Sequence, residues 1–268
     1  MTGRTVRVPG HFGELLQGRL GPDGPVVLIT LPCPALTLTA HWLPGPFALH
    51  QPCGRVMPRA EVRRVLTAAG AAPAGRVILR PGMPVGGGAG ASTAARVALG
   101  RLAGLRDPND LAALCLASEG ASDPLMFPAP ERLLWASRRG QVIDRMPALP
   151  SLEILGGFYG PPKRTDPGDD RFADVADLID DWRQGAGNAA ALARIASRSA
   201  ARCLALRGPK DDPTGALADR HGALGWSVAH TGSARALIFA PGTVPQAAVA
   251  DLRRAGFSRI TRFRIGEC

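Results

Sequence analysis

The sequence predicts an α+β protein in two halves, and three observations predict it. The first 43 residues carry extended runs rich in β-branched residues, "PVVLITLP" and "ALTLTAHWL". Helical segments with apolar residues on one side follow. Near the C-terminus, "GALGWSVAHTGSARALIFAPG" reads as strand, tight turn, strand. Antiparallel strands mixed with helices in both halves give the α+β class.

Taken in order, "RTVRVPG" opens as a short strand and the two β-branched runs follow. "RAEVRRVLTAAG" is a helix with Val62, Val65 and Leu66 on one side. "GRVILRPG" is a short strand. A loop of glycine and alanine follows, and a helix begins at about Ser92 with Ala95, Val97 to Leu99 and Leu102 as its apolar face. "DPNDLAALCLASEG" starts at an Asp/Asn cap and ends near Gly120. The Pro- and Gly-rich stretch "PALPSLEILGGFYGPPKRTDPGDD" reads as a boundary near residue 150, dividing the chain into 1–150 and 151–268. Helices are expected around 171–184 and 188–207, then the strand pair, the helix "PQAAVADLRRAG" and a closing strand "FSRITRFRI".

Bulk properties narrow the function classes. The 268 residues are 46% hydrophobic and 20% charged, as in a soluble globular protein. No apolar run is long enough to cross a bilayer, so no membrane partner is expected. "MTGRTVRVPGHFGELLQG" lacks an apolar signal core, and a cytoplasmic location is the expectation. The net charge of +10 raises nucleic acid as a partner. Yet the arginines are spread along the chain, only Lys163 and Lys210 are lysines, and no basic run is interleaved with aromatics. Small anionic ligands are the better expectation. Cys33, Cys53, Cys115, Cys203 and Cys268 are odd in number and contain no Cys-x-x-Cys, which suggests neither a disulfide framework nor a zinc site.

Three stretches can carry chemistry. In "PVGGGAGASTAA", residues 86–91 are all Gly or Ala and lie between a strand and a helix. Small residues let the backbone approach a phosphate, whose charge suits N–H donors and a helix N-terminus. The stretch is no Walker A motif, because no Lys precedes Ser92 and Thr93. By composition alone it is a phosphate cradle or a mobile hinge. In "ASEGASDPLMFP", Glu119 and Asp123 lie where a helix gives way to a loop. A carboxylate there can bind Mg²⁺ or take a hydroxyl proton, although Asp before Pro is also a common turn residue. In "AHTGSARALIF", Thr231, Gly232 and Ser233 form a small-residue turn that is an anion nest or an ordinary hairpin. A fourth stretch, "VPGHFGELLQG", offers His11, Glu14 and Gln17 beside a possible bend, or is a solvated turn after the first strand.

The order of these stretches resembles the GHMP kinases, the superfamily of galactokinase, homoserine kinase, mevalonate kinase and phosphomevalonate kinase. Within it, "GHFGELLQG" and "VAHTGS" are most similar to the L-threonine kinase branch of adenosylcobalamin biosynthesis. The resemblance implies an N-terminal domain like the second domain of ribosomal protein S5, a ferredoxin-like C-terminal domain, and ATP with Mg²⁺ between them. It implies that Gly86, Gly87, Gly88, Ala89, Gly90, Ala91, Ser92 and Thr93 hold the triphosphate. Ser92 and Glu119 would hold Mg²⁺, and Asp123 would be the catalytic carboxylate. His11, Glu14, Gln17, Gly232 and Ser233 would bind the acceptor. Ala91 stands where the superfamily usually has Ser, which keeps the backbone donor and removes a hydroxyl. The implied activity is phosphorylation of L-threonine. A kinase of another alcohol, such as homoserine or an isoprenoid precursor, and a nucleotide-binding module without catalysis are the alternatives.

Overall fold

The computed structural model describes residues 3–163, 166 and 168–266. Among them, ten strands form one sheet in the order β10-β7-β9-β8-β1-β2-β4-β3, with β5 and β6 attached beside β2. β1 (Arg4–Arg19) and β2 (Val26–Leu43) form a long antiparallel hairpin, and β4 (Arg76–Pro81) pairs with β2. β3 (Ala48–His50) lies parallel to β4 at one edge. β5 (Leu133–Ala136) and β6 (Gln141–Arg145) form a small hairpin against the turn end of β2. The remaining strands, β7 (Leu152–Phe158), β8 (Gly225–Val228), β9 (Ala234–Phe239) and β10 (Ser258–Ile265), are antiparallel. The other edge strand, β10, is bulged between Ser258 and Thr261, with Arg259 at φ 47°.

The α+β expectation holds, and the sheet carries strands from both sides of residue 150. The helices are α1 (Arg59–Ala68), α2 (Ala91–Ala103), α3 (Pro108–Glu119), α4 (Ala176–Gln184), α5 (Ala189–Arg207), α6 (Thr214–Arg220) and α7 (Ala248–Arg254). Asp107 caps α3 by accepting from Asn109 N and Asp110 N, and Gly120 closes it at φ 75°. α2 is buried almost all round, not along one face. Its small residues permit this: a Cβ on Gly100 would come within 2.6 Å of the Leu111 side chain.

Three expectations change. The helix foreseen from 171 starts only at Ala176, because the Asp174 carboxylate accepts from both Ala176 N and Gly21 N and ties that segment to the β1–β2 turn. α6 was not foreseen; it is a single short element of seven residues. The Pro- and Gly-rich boundary stretch contains β7, a buried strand between β9 and β10. Its glycines make room for aromatic rings. A Cβ on Gly156 would meet the Phe12 ring at 2.4 Å. Phe12 is fully buried there, with ring centroids 5.0 Å from Phe158 and 5.9 Å from Phe263. Cys33, Cys115 and Cys203 are buried free thiols, Cys53 is exposed, and Cys268 lies outside the described residues. No described helix is long and apolar enough to cross a membrane.

Candidate active site

The N-terminal motif is not a solvated turn but a bulged, buried part of β1. His11, Glu14 and Gln17 are three apart, so a regular strand would put Glu14 on the opposite face from the other two. Register shifts between His11 and Glu14 and between Glu14 and Leu16 bring all three to one cavity. Gly13 at φ 79° makes the first shift possible, and a Cβ there would meet Ala229 N of the neighbouring segment at 2.8 Å. The three side chains are buried.

The Gly/Ala loop forms the opposite wall. Gly86, Gly88 and Gly90 have φ of 77°, 73° and 74°, a conformation that favours glycine. Neighbouring segments grip the loop by its carbonyls. Lys163 N donates to Gly86 O at 2.8 Å, Ser233 N and Ala234 N donate to Gly87 O at 3.0 and 2.8 Å, and His11 N donates to Ala89 O at 3.3 Å. The first turn of α2 then presents the N–H groups of Ala91, Ser92 and Thr93, which have no partner within the helix. A mobile hinge would not be held at three carbonyls.

A cavity of about 370 Å³ lies between these walls. His11, Glu14, Gln17, Gly86, Gly88, Ala89, Gly90, Ala91, Ser92, Thr93, Glu119 and Asp123 all line it. Gly87, Gly232 and Ser233 do not. Gly232 and Ser233 stand behind the loop, against Gly87: the Ser233 N–H is committed to Gly87 O and a Cβ on Gly232 would meet the Gly87 carbonyl carbon at 2.4 Å. Ala229, His230 and Thr231 reach the cavity in their place.

Two polar groupings meet at the start of α2. In the first, Asp123 Oδ2 lies 3.3 Å from His11 Nε2 and accepts from the Thr93 hydroxyl at 3.1 Å. His11 Nδ1 faces Gly13 O at 3.2 Å and Glu14 Oε1 at 3.4 Å. Burial works to raise the Asp123 carboxyl, but His11 overcomes it and holds it below the usual range. Burial works to lower His11, but Asp123, then Glu14, hold it up at about 9. Burial pushes Glu14 up to about 8 against the pull of His11. His11, Glu14 and Asp123 have ligand atoms within 4.8 Å of one another. A metal needs a neutral imidazole, however, and Asp123 favours the imidazolium.

In the second grouping, Ser92 Oγ donates to Glu119 Oε1 at 2.6 Å. Burial raises the Glu119 carboxyl, with Arg96 opposing. A hydroxyl and a carboxylate at a helix N-terminus are hard oxygen donors of the kind Mg²⁺ takes alongside phosphates, so this pair fits the ion better than the His11 cluster.

Several lining residues escaped the sequence reading: Glu61, Arg96, Arg138, Lys163, Phe172 and His230. Phe172 and His230 stack with centroids 4.0 Å apart, and the Arg138 guanidinium lies 5.2 Å from the Phe172 centroid. Burial, then Arg207, push His230 down to about 3, so it stays neutral. The scarcity of lysine was the one available signal for Lys163.

The buried charges predict how stability depends on pH. A folded pKa raised above its unfolded value adds stability at low pH that disappears as pH rises through the folded value. His11, raised from 6.5 to about 9, and Glu14, raised from 4.5 to about 8, both act this way. Asp123 and His230 are lowered, so their contributions change only in more acidic solution. The thermal midpoint should therefore fall between about pH 6.5 and 9, and fall less in a Glu14→Gln variant, which removes one raised group and weakens the hold on the other. A profile that rises over this window would contradict the charge assignment.

The sequence matches no protein-family model and no curated protein sequence. Solved structures are nevertheless similar over nearly the whole chain. Methanococcus jannaschii mevalonate kinase shares 11% identity at a TM-score of 0.66, over 98% of each chain. Streptococcus pneumoniae phosphomevalonate kinase shares 13% at 0.66, over 99% of this chain and all of its own. A mevalonate pyrophosphate decarboxylase from Streptococcus pyogenes shares 11% at 0.63, over 100% and 97%. The described chain thus has the α+β fold of the GHMP kinases, with its cavity between the Gly/Ala loop and the bulged first strand.

Proposed function

We propose that the protein is an ATP- and Mg²⁺-dependent kinase of a small alcohol, with L-threonine the acceptor its motifs favour. Residues 1–150 would supply most of the nucleotide site, and residues 151–268 would close the cavity with Lys163, Phe172 and His230. The observation that carries the reading is the Thr93–Asp123–His11 chain, set one residue from the Ser92–Glu119 pair at the N-terminus of α2. The kinase fold of the neighbouring structures supports it. The decarboxylase of the same fold means that the site, not the fold, must support the reaction.

Phosphoryl transfer asks for positioning and charge stabilisation more than for covalent chemistry. The open N–H groups of the α2 first turn and the glycine loop bind the triphosphate oxygens. Ser92 and Glu119 would hold Mg²⁺, which when bound offsets the triphosphate charge. A carboxylate held below its usual range is a weak proton acceptor at the outset. Asp123 therefore first accepts a hydrogen bond from the acceptor hydroxyl and aligns its oxygen. It takes the proton as the new O–P bond forms and the bridging oxygen leaves with ADP. Thr93 and His11 keep the carboxylate ionised and correctly turned.

The test is ADP release from Mg²⁺-ATP with L-threonine, L-serine, L-homoserine or mevalonate added singly. Turnover with L-threonine is expected. Turnover with another acceptor alone would keep the kinase and replace the acceptor. ATP binding without any acceptor-dependent ADP release would sink the kinase reading.

A further inference from the structure

Arg96 occupies an unusual place. It lies one helical turn after Ser92 on α2 and is 3% exposed. Its guanidinium folds back along the helix to the entrance of the loop. Nη1 donates to Ser92 Oγ at 2.6 Å and to Ser92 O at 3.1 Å, and lies 3.2 Å from Glu119 Oε2. On its other side, Nε donates to Ser118 Oγ at 2.9 Å and Nη2 pairs with Glu61 from α1. One buried cation thus touches both groups assigned to Mg²⁺ and is at the same time paired with a second carboxylate behind it.

We propose that Arg96 is a resident counter-cation for the metal ligands, which keeps divalent ions out of the nucleotide-free site and withdraws onto Glu61 when the metal enters. The assignment of Ser92 and Glu119 to Mg²⁺ rests on the reading above; the competition does not need catalysis. Mg²⁺ binds oxygen at about 2.0–2.1 Å, so an ion between Ser92 and Glu119 would face the guanidinium at close range. Both cations cannot share those two oxygens. The move is short, because Glu61 and Ser118 already hold the far side of the guanidinium. It also keeps Glu119 paired in the empty site, where a lone buried carboxylate would be costly. Divalent metal would then enter together with the triphosphate, whose negative charge favours it. Arg96 is a positioning residue here, acting through the metal ligands.

The test is Mn²⁺ binding to the nucleotide-free protein, followed by the loss of the free-ion electron paramagnetic resonance signal. Wild type should bind weakly. Arg96→Met should bind at least about 10-fold more tightly, and adding Glu119→Gln should abolish the gain. Arg96→Lys, which keeps the charge, should stay close to wild type. Glu61→Gln removes the withdrawal point, keeps Arg96 on Glu119, and should weaken Mn²⁺ binding in the presence of ATP. It also serves as an independent probe if Arg96→Met does not fold. Equal Mn²⁺ affinity in wild type and Arg96→Met, a gain that survives Glu119→Gln, or unchanged affinity in Glu61→Gln would each overturn the proposal. No outcome depends on phosphoryl transfer, so failure of the kinase reading is seen separately, in the ADP assay.

Discussion

An Asp123→Asn variant is expected to lose about 10²- to 10⁴-fold in kcat, the usual worth of a positioned acid–base group. Its ATP affinity should stay within about 3-fold of wild type, a difference of less than 1 kcal/mol. The substitution preserves shape, and the Thr93 hydroxyl can still donate to the remaining oxygen. What disappears is the charge. Without it the acceptor hydroxyl has no anionic partner, and burial is free to lower His11, which Asp123 holds at about 9. The loss should therefore be accompanied by a His11 imidazole that titrates lower, visible by NMR. Equal losses in turnover and in ATP affinity would mean that Asp123 shapes the nucleotide site instead.

Gly88→Val should abolish nucleotide binding at concentrations that saturate wild type and lower the thermal midpoint. Gly88 is at φ 73°, and its Cβ would lie 2.2 Å from Thr231 O and 2.5 Å from the Ala229 Cβ. A β-branched residue in this left-handed region costs on the order of 1–3 kcal/mol before any clash. The clash is with backbone, which can only yield by moving the 229–231 segment or the loop itself. Gly21→Ala is the control: its φ is 71°, but nothing lies within 4 Å of the added Cβ. It should cost about 1 kcal/mol of stability and leave nucleotide binding intact. Similar loss of binding in both variants would show that the loop's close approach to Thr231 does not matter.

Most of the secondary structure was legible where one rule acts over a short window. α3 has an Asp cap and a closing glycine, and the Gly/Ala loop announces itself by composition. β7 was not legible. Its Gly156 and Gly157 read locally as a turn, and their reasons lie far off in the chain: the Phe12 ring for Gly156 and the Phe257 ring for Gly157. The cavity face of His11, Glu14 and Gln17 was hidden for a related cause. Strand periodicity separates residues three apart, and only the bulges opposite β2 reunite them. Arg96 lies outside the apolar face predicted for α2 from the sequence, and it is buried all the same. It is buried because α1 and α3 bring Glu61, Ser118 and Glu119 around it, a meeting of three helices that no local pattern records.

The arginine bias has a use at the bulged edge strand. An open strand edge invites another chain to add to the sheet. β10 places Arg259, Arg262 and Arg264 along that edge, with Arg259 forced into a left-handed kink. Arg262 and Arg264 both lean on Glu153 of β7, so their charge is anchored at the rim. The same residues that give the chain its basic character would thereby deter filament growth from a ten-stranded sheet.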